Sequence, residues 1–448
     1  MLGIMLLVLY ILFILIVAAR VRDKNSVASF FVNNRDGSAK NVALSIIVSC
    51  VGASATIGVV GKAFHVGLPA FWWLGAGAVG LTFLALLLAE KVRQSGAYTL
   101  PEMAEAFLGA PARPLISLFI VVAWMGILAA QFAALEQVLV SLTGFSPQVS
   151  LAVAFLLVTA HSLGGQAVIM RLDSLQSILM LTGLAFILLW LWMHNPSWIF
   201  AVRAEAVNDA FQISDLLYYL FIVGGNYLVC PMLFGRLFSA RDAGTARRGG
   251  IFAAAGLALC SLLIVCVGLA GVGLISGETP QDQVFTSLLG LLSPDWLQPL
   301  ILIALISAIV SSADTCLVTA STILSYDLLR STNMRVCRLS VFTLAVAGVS
   351  LSCMDKGILE FLLMGYDVYV CGVVVPVFIG LFLKGRFFIH TGCACASVIA
   401  GGICGAVAAA SGQSLFSYAG MGIAAVLCLA GLRRENASLQ GDMSKIIS

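Results

Sequence analysis

Charge is what this sequence has least of. Only 10% of its 448 residues are Asp, Glu, Lys or Arg, and the net charge of +3 is spread along the chain with no basic run flanked by aromatic residues. That pattern excludes a nucleic-acid partner. Histidine is scarcer still: His65, His161, His194 and His390 are scattered near the ends of apolar segments without a metal-ligand spacing, and the serines show no paired base. Nucleophilic or metal catalysis has no visible machinery, so an enzyme is not expected. No connector is long enough to form a soluble domain. The twelve cysteines lie mostly singly in apolar stretches, and the one close pair, Cys393 and Cys395, is two apart on a helix and faces different ways. They read as small packing residues rather than metal ligands or disulfides. The first twenty residues lack the positive n-region of a signal peptide and are expected to stay as a helix.

What the chain has is hydrophobic residues, 61% of the total, in blocks of about twenty. Each block is long enough to cross a bilayer core of about 30 Å as a helix. Thirteen helices are predicted, at 2–20, 42–63, 67–90, 113–142, 147–168, 173–194, 213–237, 248–276, 297–328, 337–354, 357–383, 388–411 and 414–432, which makes the chain an all-α polytopic membrane protein of one domain. With the N-terminus outside, all but Lys62, Arg203 and Lys356 of the 24 Lys and Arg residues, Arg236 among them, fall on the cytoplasmic side. Basic residues near helix ends favour that side, so the reading is N-out and C-in. The bacterial cytoplasmic membrane is the expected location, with lipid as the surrounding partner.

A charge at membrane depth is expensive, roughly 2.5–3.5 kcal/mol on insertion scales, so each one points to function. The candidates are Glu136, Asp173, Asp314 and Asp367. Asp173 is expected at a helix entrance within reach of solvent, Glu136 and Asp367 in outer halves, and Asp314 deepest of all. In AIVSSADT, residues Ala308, Ser311, Ser312 and Thr315 stand at i, i+3, i+4 and i+7 on one helix face, with Asp314 on the flank. Hydroxyls, a helix carbonyl and a carboxylate are what a hard cation such as Na+ accepts in place of water. The same stripe also suits interhelical hydrogen bonding and close packing, and both readings stay open. In the second helix, SCVGAS around Gly52 is a place for a mid-membrane break that frees carbonyls for an ion.

Several motifs then occur in a telling order: SVASFFVNNRD, IGVVG, AYTLPEMAEAFLG, SLGGQAVIMRLDSLQ, CPMLFGRLFSARDAGTARR, AIVSSADT with STILSYDLL, and VVVPVFIGLFLKGR. Together, over about residues 28–390, they resemble the sodium/solute symporter family, to which the sodium/glucose and sodium/proline transporters belong. The resemblance implies alternating-access import of a small organic solute with Na+ as the coupling ion. It implies a core of two inverted five-helix repeats, 41–194 and 213–384, preceded by an extra helix and loop (1–40) and followed by two helices and a short tail (385–448). The main Na+ site would take the carbonyls of Val48, Val51 and Ala308 with the hydroxyls of Ser311 and Ser312. A second cation would fall among Asp173, Ser311, Asp314 and Thr315, which equally suit a proton relay or a gate. The solute pocket would be lined by Cys50, Ala53, Ser54, Trp72, Trp73, Gln131, Asn226, Tyr227, Cys230 and 364–368, although the aromatics Trp72, Trp73 and Tyr227 equally suit an interfacial belt. Cys50 stands where relatives have an aspartate or asparagine, and Ala55 and Cys230 replace two sugar-binding positions, so a hexose is not expected. Asp367 is expected to face either a cationic group of the solute or, more blandly, Lys62 or the outer vestibule. A membrane sensor of solute and a proton-coupled symporter are the competing readings.

Overall fold

Each of the thirteen apolar segments is helical in the structure, a computed structural model that describes residues 2–20, 26–194, 196, 205–292, 295–354 and 357–434. Arg22, Lys24, Arg203, Lys356 and Lys445, which entered the charge count, lie outside the described residues. Among those described, nine helices are long and apolar enough to cross a membrane, and a tenth crossing is formed by a bent pair. We label them α1 (Leu2–Ala19), α2 (Val27–Val32), α3 (Ala39–Cys50), α4 (Ser54–Val66), α5 (Leu68–Gln94), α6 (Leu100–Leu108), α7 (Ala112–Thr143), α8 (Pro147–Ser162), α9 (Gly165–His194), α10 (213–228), α11 (Pro231–Phe238), α12 (Ala243–Ala270), α13 (Leu297–Leu328), α14 (Met334–Ser352), α15 (Ile358–Leu383), α16 (Thr391–Ser411) and α17 (Ser414–Ala430). Among the described residues the all-α pattern is interrupted by three isolated β-bridges and a three-residue antiparallel ladder, β1 (Phe387–Ile389) with β2 (Leu432–Arg434), which ties the two C-terminal helices together at one end. Local chemistry sets the boundaries. Ser38, Thr99, Ser146 and Asp242 accept from backbone N–H groups at the starts of α3, α6, α8 and α12. Bonds from the Thr245 N–H and hydroxyl hold the exposed Asp242 carboxyl below its ordinary range.

The centre of the fold is α13. Every residue of its most apolar 18-residue window is buried inside the protein, so no face of that stretch is left for lipid. A helix that is apolar all round belongs in such a place, and α13 packs against α3, α7, α8, α9 and α14. Its serines and aspartate therefore meet other helices rather than hydrocarbon.

Two crossings are broken. α3 and α4 meet at an angle of 61°, with Val51 at φ −96°, ψ 59°. α10 and α11 are separated by extended residues at Val229 and Cys230. The second break is written in the sequence, because the residue before Pro231 is driven out of the helical region and proline is at home in the first turn of the helix that follows.

One expectation is corrected. The boundary between the fifth and sixth segments was placed between 168 and 173, with Asp173 at a solvent-reachable entrance. Instead α8 ends at Ser162 and α9 starts at Gly165, whose φ of +68° and close approach to Phe30 suit only glycine. Asp173 consequently lies two turns inside α9 and is fully buried.

Candidate functional site

The break in the first bent crossing faces the hydroxyl stripe of α13. Ser312 Oγ donates to the Ser49 carbonyl at 2.9 Å and reaches the Val48 carbonyl at 3.3 Å. Val51 lies at the break itself, and Ala308 stands one turn before Ser312 on the buried core helix. Gly52 makes the approach possible: a Cβ there would fall on the Ser312 side chain and on the amide oxygen of Gln131. Gln131, from α7, accepts from the freed Ala53 N–H at 3.0 Å, and Tyr369 donates to the Val229 carbonyl at 2.6 Å in the second break. Unwound backbone that would otherwise be costly in a membrane is thus satisfied by two side chains. Ser311 turns the other way and donates to Asp173 Oδ1 at 2.6 Å.

Between the two breaks lies a cavity of about 40 Å³, lined by Cys50, Ser54, Gln131, Asn226, Tyr227 and Cys230, with Trp124, Tyr366 and Ser312 completing its wall. Of the ten positions or stretches expected in the solute pocket, the structure brings seven together at this cavity: those six line it, and Tyr366 belongs to 364–368. Among the described residues no charged side chain lines it. Two of its buried polar atoms, Trp124 Nε1 and Asn226 Oδ1, have no hydrogen-bond partner among the described residues. Ala53 contributes its backbone N–H to the wall rather than a side chain. Trp73 stacks on Tyr366 at 6.4 Å and meets Tyr219 edge-on at 5.5 Å, so it stands between the cavity and a vestibule of about 650 Å³ lined by Lys62, Tyr218, Tyr219 and Asp367. Trp72 is outside the cavity, its indole N–H donating to the Ala206 carbonyl at 3.2 Å.

Asp367 is likewise apart from the cavity lining. Its Oδ1 accepts from Tyr218 at 2.9 Å and from Ser417 at 2.7 Å, while the Lys62 ammonium donates to Tyr219. Asp367→Asn is therefore expected to leave the half-saturating solute concentration within about twofold of wild type while lowering stability by about 1–2 kcal/mol. Uptake kinetics alongside thermal unfolding of the purified variant check this, and a selective loss of affinity for amine-bearing solutes would place the carboxylate at the solute after all.

The structure also assembles groups that the sequence did not link. Arg236, counted above among cytoplasmic charges, is 1% exposed and reaches Asp173, Thr315, Ser45, Ser49 and Gln166. His161 Nδ1 lies 3.2 Å from Asp314 Oδ2 across 153 residues of chain. At the start of α7, Arg113 bonds Asp327 at 2.8 Å and Glu105 at 2.9 Å, Thr99 donates to Asp327 at 3.0 Å, and Tyr326 donates to Glu102 at 2.8 Å. That network joins AYTLPEMAEAFLG to STILSYDLL and closes the bundle on the side opposite the vestibule.

Residues 30–401 match the sodium:solute symporter family. The chain belongs to that family. No curated protein matches it by sequence. Among solved structures, the symporter is similar to a Na+-coupled sialic acid symporter in a substrate-bound outward-open state, with 15% identity and a TM-score of 0.81 over 97% of this chain and 99% of that one. It is also similar to Mhp1, a nucleobase-cation-symport-1 family transporter in a closed conformation with bromovinylhydantoin bound (14% identity, TM-score 0.61, 92% and 95% covered). A third similar structure is MhsT in complex with L-phenylalanine (14% identity, TM-score 0.60, 88% and 98% covered). The symporter is an integral, multi-pass membrane protein that couples solute movement to sodium.

Proposed function

We propose that this symporter imports a small polar solute that presents no uncompensated charge to the protein, using Na+ bound between α3 and α13. The observation that carries this reading is the cavity between the two breaks: its wall includes a buried donor, Trp124 Nε1, and a buried acceptor, Asn226 Oδ1, without partners among the described residues, and none of those residues brings a charged side chain to it. Burying an unpaired ion there would cost far more than burying a neutral donor and acceptor. Na+ would be shared among the carbonyls of Val48, Val51 and Ala308 and the hydroxyls of Ser311 and Ser312, all within or next to the wall of the solute cavity. An ion that tightens this wall favours the loaded state, and its loss to the cytoplasm releases both cargoes.

The cavity is smaller than the roughly 300–1,000 Å³ of typical ligand sites, so loading requires α3, α10 and α15 to move apart. Trp73 and Tyr366 would part on the vestibule side, and the Arg113–Asp327 network on the opposite side, in alternation. The two halves that rock against each other are proposed to be the inverted repeats 41–194 and 213–384. The driving force is sufficient: one charge crossing 100 mV yields roughly 2.3 kcal/mol and a tenfold Na+ gradient about 1.4 kcal/mol, together enough for accumulation of several hundred-fold per ion.

Na+-jump uptake into proteoliposomes, screened over neutral and zwitterionic amino acids, carboxylates, sugars, nucleobases and quaternary amines, tests the reading. A net-neutral polar solute is expected to be taken up, and Asn226→Leu is expected to raise its half-saturating concentration about tenfold or more. Uptake unchanged when choline replaces Na+ at fixed pH and voltage would reject sodium coupling and leave proton coupling in its place. Selective uptake of a dianion or dication would reject the neutral-solute reading.

A further inference from the structure

The residues that the resemblance offers to a second cation are already divided among groups of the protein itself. Asp173 accepts from Arg236 Nη2 at 3.1 Å, from Ser311 Oγ at 2.6 Å and from the Ser45 hydroxyl, and Thr315 Oγ1 accepts from the same guanidinium nitrogen. Asp314 is directed elsewhere: its Oδ2 lies 3.2 Å from His161 Nδ1, and its Oδ1 has no partner among the described residues. The four candidate ligands therefore do not converge on one point.

What stands among them is a cation. The Arg236 side chain is 1% exposed, and its other nitrogens are fixed by Ser45 Oγ at 3.0 Å and Gln166 Oε1 at 3.2 Å. Guanidinium stays charged at any working pH, and its planar fork suits several oxygen acceptors at once. The helix that carries it, α11, begins at the second break, so the segment whose unwinding shapes the solute cavity also delivers this charge to Asp173. A second Na+ drawing on Asp173, Ser311 and Thr315 would lie at bonding distance from a fixed positive charge, where like charges repel strongly because little water intervenes.

We infer that Arg236 is a tethered cation occupying the place of a second coupling ion, so that this symporter runs on a single Na+ held at Ser312. The inference rests on the Na+ site proposed above. Its energetic consequence is a ceiling: accumulation stays at the several hundred-fold that one ion supports, where two would allow roughly the square of that ratio. In exchange, the buried Asp173 never has to be desolvated and resolvated during the cycle, since its partner arrives with the chain.

Equilibrium binding of radiolabelled Na+ to the purified full-length protein tests this without knowledge of the solute. Binding is expected to saturate at one ion per chain in the wild type and in Arg236→Lys, which keeps the charge. Arg236→Gln, which keeps a hydrogen-bonding side chain but removes the charge, is expected to saturate at two. Ser312→Ala is expected to lose the wild-type binding over the same concentration range. Two ions in the wild type, or a single ion in a folded Arg236→Gln, overturns the inference. Should Arg236→Gln fail to fold, Ser312→Ala still decides: one ion retained in that variant means a second site exists and the tethered-cation reading is wrong. Absence of saturable binding in the wild type overturns the Na+ site itself, which is a different failure.

Discussion

Replacing Ser312 by alanine is expected to raise the half-saturating Na+ concentration at least tenfold, a loss of about 1.4 kcal/mol or more, with little change in the amount of protein in the membrane. The reason lies in what its hydroxyl touches. It is the one side chain that spans from the core helix α13 to the freed carbonyls of α3, at 2.9 Å from Ser49 and 3.3 Å from Val48. An ion placed among those carbonyls needs this oxygen to complete its shell, and a methyl group supplies nothing in its place. Ser311→Ala is expected to show a smaller increase, because its hydroxyl is also committed to Asp173. The Na+ dependence of initial uptake in proteoliposomes measures both. Equal half-saturation in wild type and Ser312→Ala would remove Ser312 from the ion's shell.

Gly52→Val is expected to abolish uptake, with at least a hundredfold loss of initial rate at saturating Na+. Two groups lie where the new side chain would go, the Ser312 hydroxyl and the Gln131 amide oxygen, and each has a task of its own. Displacing Gln131 leaves the Ala53 N–H unpaired in a dry region, at about 1–3 kcal/mol. Displacing Ser312 separates α13 from the break. Gly52→Ala is expected to lie between the two, because a single methyl meets the same atoms with less bulk. Transport by Gly52→Val near the wild-type rate would mean that the break is looser than this packing allows.

The apolar segments are legible in the sequence because a bilayer demands about twenty apolar residues for each crossing, and nine helices among the described residues, with a tenth crossing from the bent pair, have that length and composition; AIVSSADT stands out because hydroxyls and a carboxylate are rare in such company. The break at Gly52 is legible as a possibility, and the one before Pro231 follows from proline's backbone. Contacts between segments are another matter. His161 and Asp314 share no periodicity when 153 residues separate them. Arg236 is hidden for a subtler reason: it sits in the last turn of the predicted helix 213–237 and opens RLFSARDAGTARR, so a count of basic residues assigns it to the cytoplasmic end, whereas the structure buries it inside the bundle at 1% exposure. Asp173 is misplaced by the same kind of ambiguity, because an apolar run does not reveal that Gly165 has already begun the next helix. Trp124, on the long helix α7, resembles any other membrane tryptophan until the structure shows its indole N–H unpaired at the cavity.

The enclosure of the central stretch of α13 has a bearing on how the protein comes to exist. A segment must first be accepted by the bilayer as an individual helix and only later be withdrawn from it by its neighbours. For α13 this means that Ser311, Ser312, Asp314 and Thr315 spend their early life beside hydrocarbon, tolerated because the surrounding Leu, Ile, Val and Ala outweigh them. Their partners are all translated earlier: Val48 and Asp173 come long before Ser312, and Arg236 lies between. Neither half of the polypeptide carries the ion-binding region alone, and the part of the molecule that gives it its activity is the part that synthesis completes late.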